Sequence, residues 1–402
     1  MATTRRCIAR YRGAVPDAVT TAARFRETVG GDPAGVWSAP GRVNLIGEHT
    51  DYNGGLALPI ALPQRTYAAV RPRVDGRLRL HSDAARDPVD VALADVKPGT
   101  PGGWASYVAG VAWAVGEAGH PVGGLDVHVS SDVPVGAGLS SSAALECSVA
   151  AALSDLLGLG LLADDDGRAT LAGWCQQAEN VIAEAPTGGM DQAISMRAEP
   201  AHATLLDCRS GAVEQVPFDL AASGLALLVV DTRAEHALVD GQYAARRRSC
   251  ERAAQILGVA TLREIPVADL DDALRRLRDG ELEARVRHVV TEIDRVEQCV
   301  AALRDGDFDA VGRLFVASHA SLRDDYEVSC DELDVAVDTA MAHGALGARM
   351  TGGGFGGSAI ALVRAESVAP TTAGVTDAFV RRRWTEPGCF AVTAGAAAGR
   401  DS

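Results

Sequence analysis

A run of glycines and serines marks the first place in the chain where chemistry is expected, Pro134-Val-Gly-Ala-Gly-Leu-Ser-Ser-Ser-Ala-Ala-Leu-Glu146. Glycine lets the backbone approach a ligand closely, and serines cap helices and offer hydroxyls. The free N–H groups and the positive dipole at a helix N-terminus favour an anion. The run therefore predicts a phosphate-binding loop made of Gly136, Ala137, Gly138, Leu139, Ser140, Ser141 and Ser142.

The segments on either side of this loop predict a strand and a helix. Leu125, Val127 and Val129 alternate with polar residues, which is typical of a half-buried strand. Apolar residues at helical spacing follow the loop, and Gly158 is placed to end that helix. From these residues alone, an ordinary capped helix after a glycine-rich turn is an equal alternative.

The loop is not that of a P-loop NTPase, because a Walker A loop needs a lysine inside the glycine turn. The only lysine of the chain is Lys97. The strand lysine and the HRD and DFG motifs of protein kinases are missing as well.

Three further segments contain polar groups suited to a site. Arg42, Glu48, His49 and Asp51 are set among prolines and glycines in residues 36–55, which we expect to form one loop that is either functional or a salt-bridged turn. Glu179 lies at the edge of the apolar stripe of a helix over residues 170–182, where an outward orientation is favoured. Asp191 follows a glycine turn, where an N-capping role is an even alternative.

Composition limits the class of protein. A chain of 402 residues with a net charge of -15 and a pI near 5.0 predicts about two soluble domains, with neither nucleic acid nor an anionic membrane as partner. Eight scattered cysteines without a CxxC pair predict buried thiols in a reducing compartment. With no apolar run long enough to cross a membrane, we expect a cytoplasmic protein.

The second half of the chain predicts one buried strand and many helices. Residues 225–230 are apolar on both faces, and Arg246 to Arg248 are interpreted as a solvated charge run. Residues 262–343 have helical patterns, with Glu292, Arg295 and Glu297 expected on the surface. The glycines of residues 352–357 match a dinucleotide fingerprint, but a strand pattern follows, so we predict a turn between two strands.

Several of these motifs, in their order along the chain, resemble those of galactokinases in the GHMP small-molecule kinase superfamily. The resemblance rests on Gly41-Arg-Val-Asn-Leu-Ile-Gly-Glu-His-Thr-Asp-Tyr52, on the glycine and serine loop, and on Met350-Thr-Gly-Gly-Gly-Phe-Gly-Gly357. It extends through the segments 177–180, 189–192, 206–210 and 319–327 and so covers nearly the whole chain.

The resemblance implies a two-domain α+β fold with the active site in the cleft between the domains. Residues 14–208 would form an N-terminal GHMP kinase domain with a mixed sheet and helices. Residues 209–395 would form a ferredoxin-like C-terminal domain. We expect a monomer whose partners are small molecules.

The resemblance also implies a reaction, the transfer of the γ-phosphoryl group of ATP to the C1 hydroxyl of D-galactose. Asp191 would be the catalytic base, with Arg42 balancing charge beside it. Ser142 and Glu179 would hold Mg²⁺, which keeps waters and takes few protein ligands. The residues expected to bind the sugar are Glu48, His49, Thr50, Asp51, Gly189 and Tyr243.

Two alternatives stay open at this point. Thr187-Gly-Gly-Met-Asp191 and Ser358 stand where many galactokinases have Cys-Gly-Ile-Met-Asp and a cysteine, and Gly189 also resembles N-acetylgalactosamine kinases. A kinase for N-acetylgalactosamine or arabinose is therefore one alternative. A non-catalytic regulator that senses galactose and ATP is the other, although the Ser142-Ala143 pair that such fungal proteins lack is present.

Overall fold

The computed structural model describes residues 15–234 and 239–402. The helices within them are α1 (Ala18–Thr28), α2 (Trp104–Glu117), α3 (Ser141–Leu156), α4 (Asp165–Gln177), α5 (Met190–Arg197), α6 (Val239–Leu257), α7 (Leu270–Leu277), α8 (Gly280–Asp305), α9 (Phe308–Asp324), α10 (Asp331–Ala342) and α11 (Val368–Arg382). The strands are β1 (Gly35–Asn44), β2 (Leu56–Ala57), β3 (Pro59–Pro72), β4 (Arg77–Ser82), β5 (Val89–Ala92), β6 (Leu125–Ser131), β7 (His202–Asp207), β8 (Val213–Pro217), β9 (Leu225–Asp231), β10 (Gly347–Thr351), β11 (Ser358–Arg364), β12 (Gly388–Val392) and β13 (Gly399–Arg400).

The first part of the chain forms a mixed six-stranded sheet in the order β13-β1-β3-β6-β4-β5. The pair β4–β6 is parallel and the other pairs are antiparallel. Residues such as Trp37, Val70 and Val127 form a core with α2, α3 and α4 on one face of the sheet. Phe25 of α1 packs against Val36 on the opposite face.

The β6 strand is buried on both faces, so the prediction of a half-buried strand was wrong. Its polar side chains lie on the face that α1 covers. Asp126 is 1% exposed there and accepts hydrogen bonds from Arg71 at 2.7 Å and from Arg73 at 2.8 Å. Alternation in the sequence therefore marks two different buried environments, one apolar and one ion-paired.

The second part of the chain is built on an antiparallel four-stranded sheet in the order β10-β11-β9-β12. Strand β9 leads through helices to the β10–β11 hairpin, and α11 then leads to β12, which is the ferredoxin-like arrangement that was expected. The predicted buried strand over residues 225–230 and the turn over residues 352–357 are both observed. The two-domain α+β fold is confirmed.

A small three-stranded sheet, β2-β7-β8, straddles the expected division at residue 209, and the last strand, β13, returns to the first sheet. The domain limits therefore stay a prediction. None of the helices in the described residues is long and apolar enough to cross a bilayer.

Residues 36–55 do not form one loop as expected, because β1 runs through to Asn44. All ten residues of β1 are buried, since helices pack on both faces of the sheet. Arg42 consequently leaves from a buried strand, while Glu48, His49 and Asp51 lie on the turn that follows. A rigid strand therefore positions the arginine.

Replacing Gly312 of α9 by alanine should destabilise the fold, because a Cβ there would collide with the carbonyl oxygen of Leu346. We expect Gly312→Ala to lower the free energy of unfolding by about 1–3 kcal/mol, as overpacking does elsewhere. Gly173 of α4 is exposed with open space at its Cβ position, so Gly173→Ala should raise that free energy by about 0.5 kcal/mol. Urea unfolding of both variants tests this, and equal effects would contradict it.

Candidate active site

An arginine and an aspartate form the centre of the site. Arg42, at the end of β1, donates from Nε to Asp191 Oδ1 at 3.0 Å and from Nη2 to Oδ2 at 3.1 Å. Asp191 is the second residue of α5, and Gly189 is the residue that precedes that helix, so Asp191 is not its N-cap. The side chain of Arg42 is 7% exposed and that of Asp191 is 21% exposed. The carboxylate is thus held by the arginine and still reaches open space.

The phosphate-binding loop meets this pair. Ser140 has a left-handed backbone with φ 60° and its side chain does not cap α3. Its hydroxyl instead donates to Asp191 Oδ2 at 2.5 Å. Arg42 Nη1 donates to the Gly138 carbonyl at 2.5 Å. Direct hydrogen bonds therefore join three segments: the end of β1 with Arg42, the start of α5 with Asp191, and the phosphate-binding loop.

The carbonyl groups of the loop are turned into the protein. Those of Ala137 and Leu139 accept from the Ser358 hydroxyl at 2.8 Å and from the Arg42 N–H at 3.1 Å. Within the described residues, the N–H groups from Gly136 to Ser142 take part in no backbone hydrogen bond. Together with the N-terminus of α3, they can donate hydrogen bonds to an anion.

Glu179 points inward, so the outward orientation favoured by its place on the helix was wrong. It lies on a wide π-helical turn over residues 178–182 that follows α4 and is 7% exposed. The Ser142 hydroxyl and the side-chain amide of Gln192 donate to it. Burial, followed by the nearby charge of Asp191, raises the pKa of Glu179 to about 7. Arg42, Ser142 and Gln192 act in the opposite direction but do not offset this effect of burial on the Glu179 carboxylate.

A cavity of about 450 Å³ opens in front of these groups, between the two domains. Its walls combine residues from both halves of the chain, namely Arg42, Glu48, His49, Asp51, Tyr107, Glu179, Ala183, Glu184, Ala185, Pro186, Thr187, Met190, Asp191, Tyr243, Gly352 and Gly353. Of the residues expected to bind sugar, Glu48, His49, Asp51 and Tyr243 line it. Tyr107 and residues 183–187 were not anticipated as wall residues.

Two residues expected to bind sugar have other contacts. The Thr50 hydroxyl is fully buried and lies within hydrogen-bond distance of two acceptors, the carbonyls of Gly47 at 2.9 Å and Leu56 at 2.6 Å. Gly189 has φ 88°, and a Cβ there would press on Gln176. The backbone conformation and the nearby Gln176 side chain are sufficient to explain a glycine at this position, without a contact to a ligand. A role for either residue in sugar binding stays a prediction.

Asp51 lies deep in the cavity, next to the backbone of Gly188. A Cβ at Gly188 would overlap the Asp51 carboxylate, so only glycine leaves room for that side chain. Burial, and to a lesser degree the charge of Asp191, raises the pKa of Asp51 to about 6. Asp51 therefore gains its proton closer to neutral pH than an ordinary aspartate does.

Behind the cavity, Arg349 of β10 is fully buried between two carboxylates. It pairs with Glu48 and lies 3.8 Å from Glu292 of α8. Glu292 was expected on the surface, but it is fully buried and accepts from the Gly47 N–H at 3.0 Å. Burial would raise the pKa of Glu292, yet Arg295 and Arg349 outweigh it and hold that pKa at about 2. In the sequence, the signal for this buried group of charges was a charged residue, Arg349, inside the apolar β10 segment.

Arg246 is not part of a solvated charge run as interpreted. Its guanidinium donates to the carbonyls of Tyr326 and Glu327, at 2.7 and 2.9 Å, and lies over the Phe355 ring. The segment containing Tyr326 packs directly behind residues 45–55, the turn after β1 that carries most of the residues expected to bind sugar and is called the sugar loop below. The centroid of the Tyr326 ring lies 4.8 Å from that of the His49 ring.

Comparison with known proteins shows which families this chain is similar to. The galactokinase galactose-binding signature matches residues 23–72, and the N- and C-terminal GHMP kinase domains match residues 106–199 and 299–373. The chain is 55% identical to a galactokinase of Streptomyces coelicolor, over 95% of this chain and 98% of that protein. It is 46% identical to one of Mycobacterium tuberculosis, over 88% and 98%.

A solved structure of Lactococcus lactis galactokinase complexed with galactose superposes with a TM-score of 0.89 at 31% identity, covering 95% of this chain and 99% of that one. The fold and the two domain matches define the class, a small-molecule kinase of the GHMP type. The extent of the similarity to the curated relatives defines the family as well. The chain belongs to the galactokinase family.

Protonation of Asp51 should weaken sugar binding at acid pH. One pH unit below a pKa of about 6, only about a tenth of the carboxyl groups stay ionised, so we expect the Kd for galactose to rise about tenfold between pH 7.5 and 5. Calorimetry without nucleotide measures this. Asp51→Asn should bind weakly with little pH dependence, whereas Glu179→Gln should keep the wild-type profile. A wild-type Kd that stays constant to pH 5 would contradict the role of Asp51.

Proposed function

We propose that this protein catalyses the ATP-dependent phosphorylation of D-galactose at its C1 hydroxyl. The observation that carries the proposal is the position of Asp191. Its carboxylate is paired with Arg42, touches the phosphate-binding loop through Ser140, and opens into the cavity that Glu48, His49 and Asp51 line. A carboxylate that could take up a proton thus lies between the expected places of the two substrates.

Phosphoryl transfer needs mostly the positioning of the substrates and the neutralisation of charge. In this proposal the chain has residues for both tasks. The N–H groups from Gly136 to Ser142 would hold the ATP phosphates. Arg42 would stabilise negative charge at the transferred group. Asp191 would accept the proton of the attacking hydroxyl, with Ser140 and Arg42 fixing its orientation. The polar side chains of the sugar loop would select the substrate through its hydroxyls.

Ser142 and Glu179 fit a magnesium ion. Both present oxygen atoms, which Mg²⁺ prefers, and the buried Glu179 carboxylate lacks a nearby cationic partner strong enough to keep its pKa low. When bound, the ion would neutralise negative charge on the nucleotide phosphates. Gln192, which donates to Glu179, would keep the carboxylate facing Ser142.

The test of the function is an assay of ADP release with a panel of sugars. We expect galactose to stimulate ADP release in the presence of MgATP, with one galactose 1-phosphate formed per ADP. N-acetylgalactosamine and arabinose distinguish the related kinases. Binding of galactose and ATP with no ADP released above the sugar-free rate would contradict the proposal and favour a sensing protein.

Replacing Asp191 by asparagine should remove turnover but not sugar binding. The amide keeps the shape of the side chain but cannot take the proton, so kcat should fall about 10²–10⁴-fold. The Kd for galactose, measured by calorimetry, should change little.

The matched control is Asp165→Asn, which breaks another aspartate–arginine pair, with Arg197, outside the cavity. Its kcat should equal that of the wild type. An Asp191→Asn variant that is folded, binds galactose and keeps kcat within threefold would exclude Asp191 as the base.

The cytoplasmic location and the monomeric state of the protein stay predictions.

A further inference from the structure

A buried glutamate, Glu146, lies on helix α3 one turn after Ser142. Side chains four residues apart share a face of a helix, so Glu146 lies behind the candidate magnesium site. Glu146 is 0% exposed and does not line the cavity. None of the proposed steps of the reaction uses this carboxyl group. A buried carboxyl group is nevertheless costly unless it is hydrogen-bonded.

The partner of Glu146 is the side chain of Gln192 on α5, which is also fully buried. The Gln192 amide nitrogen donates to Glu146 Oε2 at 3.0 Å, and it donates to Glu179 Oε2 as well. An amide nitrogen carries two protons, so each carboxyl group receives one of them. The amide therefore bridges the two carboxyl groups in the interior of the protein.

The direction of these two hydrogen bonds follows from the groups involved. With the amide reversed, its carbonyl oxygen would face oxygen atoms of two carboxyl groups. Burial, followed by the charge of Glu179, raises the pKa of Glu146, and the bond from Gln192 acts the other way, as a donated N–H does. The bond from Gln192 likewise opposes the effect of burial on the pKa of Glu179. A carboxyl group keeps an acceptor oxygen with or without its proton, so the contact does not depend on the charge of Glu146.

These contacts close a ring of side chains at the candidate magnesium site. Ser142 donates to Glu179, which also accepts from Gln192. Gln192 donates to Glu146, and one turn of α3 connects Glu146 back to Ser142. Helices α3 and α5 are in contact here, with the Cys147 sulfur 3.8 Å from the Gln192 carbonyl oxygen. Within the described residues the Gln192 nitrogen has no third acceptor, so without Glu146 the amide would be free to turn away from Glu179.

We propose that Glu146 is a positioning residue for the magnesium site. It orients the Gln192 amide, which in turn holds the Glu179 carboxylate towards Ser142. Loss of such an outer-shell partner typically lowers metal affinity about 10–100-fold. Magnesium enters through the proposed function, on which this inference rests. Nucleotide binding measures the effect without any turnover.

The first test is how much magnesium tightens the binding of the β,γ-imido analogue of ATP, measured by calorimetry with Mg²⁺ and with EDTA. We expect the Kd of the wild type to be at least tenfold smaller with Mg²⁺. Glu146→Met keeps the length of the side chain but removes the acceptor, so this magnesium-dependent gain should fall about three- to tenfold. The Kd in EDTA and the Kd for galactose should stay within twofold. A wild-type gain below threefold, or a gain in Glu146→Met within twofold of the wild type, would overturn the proposal.

A conservative variant and a matched control separate this role from general damage to α3. Glu146→Gln retains an oxygen acceptor for Gln192 and should keep the wild-type gain. Ser154→Ala removes another buried polar group about two turns further along α3, whose hydroxyl accepts from the Leu161 N–H at 3.1 Å. Its gain should equal that of the wild type. A loss in Ser154→Ala, or a loss in Glu146→Gln as large as in Glu146→Met, would overturn the proposal.

The second test asks whether Glu146 acts through Gln192. Gln192→Met should lose the gain as well, and adding Glu146→Met to it should cost nothing further. A double variant whose loss equals the product of the two single losses would overturn the proposal. Glu146→Asp withdraws the acceptor by one methylene group and replaces Glu146→Met if that variant does not fold. A protein that shows these effects but does not phosphorylate galactose would contradict the proposed function and still support the role of Glu146.

Discussion

The site depends on the guanidinium of Arg42, which meets three elements at once. It leaves from a buried strand, donates twice to Asp191 at the start of α5, and donates to the Gly138 carbonyl of the phosphate-binding loop. Because a guanidinium is planar and offers its donors in a fixed fork, it sets the relative orientation of the carboxylate and the loop. A lysine has a single ammonium group that rotates freely, so it could not fix the orientation of both the carboxylate and the loop.

The second domain is held against the sugar loop by buried charge. Arg349 lies between Glu48 and Glu292 and also donates to the Leu45 carbonyl at 2.7 Å, while Glu292 accepts from Gly47. Removing one member of such a group would leave an uncompensated buried charge, which typically costs about 3–5 kcal/mol. The sugar loop is thus fixed by residues from the other domain. Behind His49, hydrogen bonds through Tyr52 and Tyr326 reach Cys250 of helix α6.

Local patterns predicted the elements with strong periodicity and the residues within recognisable motifs. The strand over residues 225–230 and the turn over residues 352–357 needed only alternation and glycine spacing. The pairing of Arg42 with Asp191 followed from motif resemblance, although 149 residues separate them. The exposure of individual side chains was predicted less well. Glu292 carries a charge on a helix, and only its partners Arg349 and Gly47, from distant segments, make its burial possible.

The amino-acid sequence by itself determined the class of chemistry through the resemblance of several local motifs, in one order along the chain, to those of galactokinases. The loop and the acid taken alone left ordinary helix caps as equal alternatives. The tertiary structure alone decided which way ambiguous side chains point. Glu179 turns inward, Ser140 bonds to Asp191 instead of capping its helix, and Tyr326 supports His49. These outcomes depend on competition between partners brought together from far apart along the chain, and a one-dimensional pattern contains no distance between such partners.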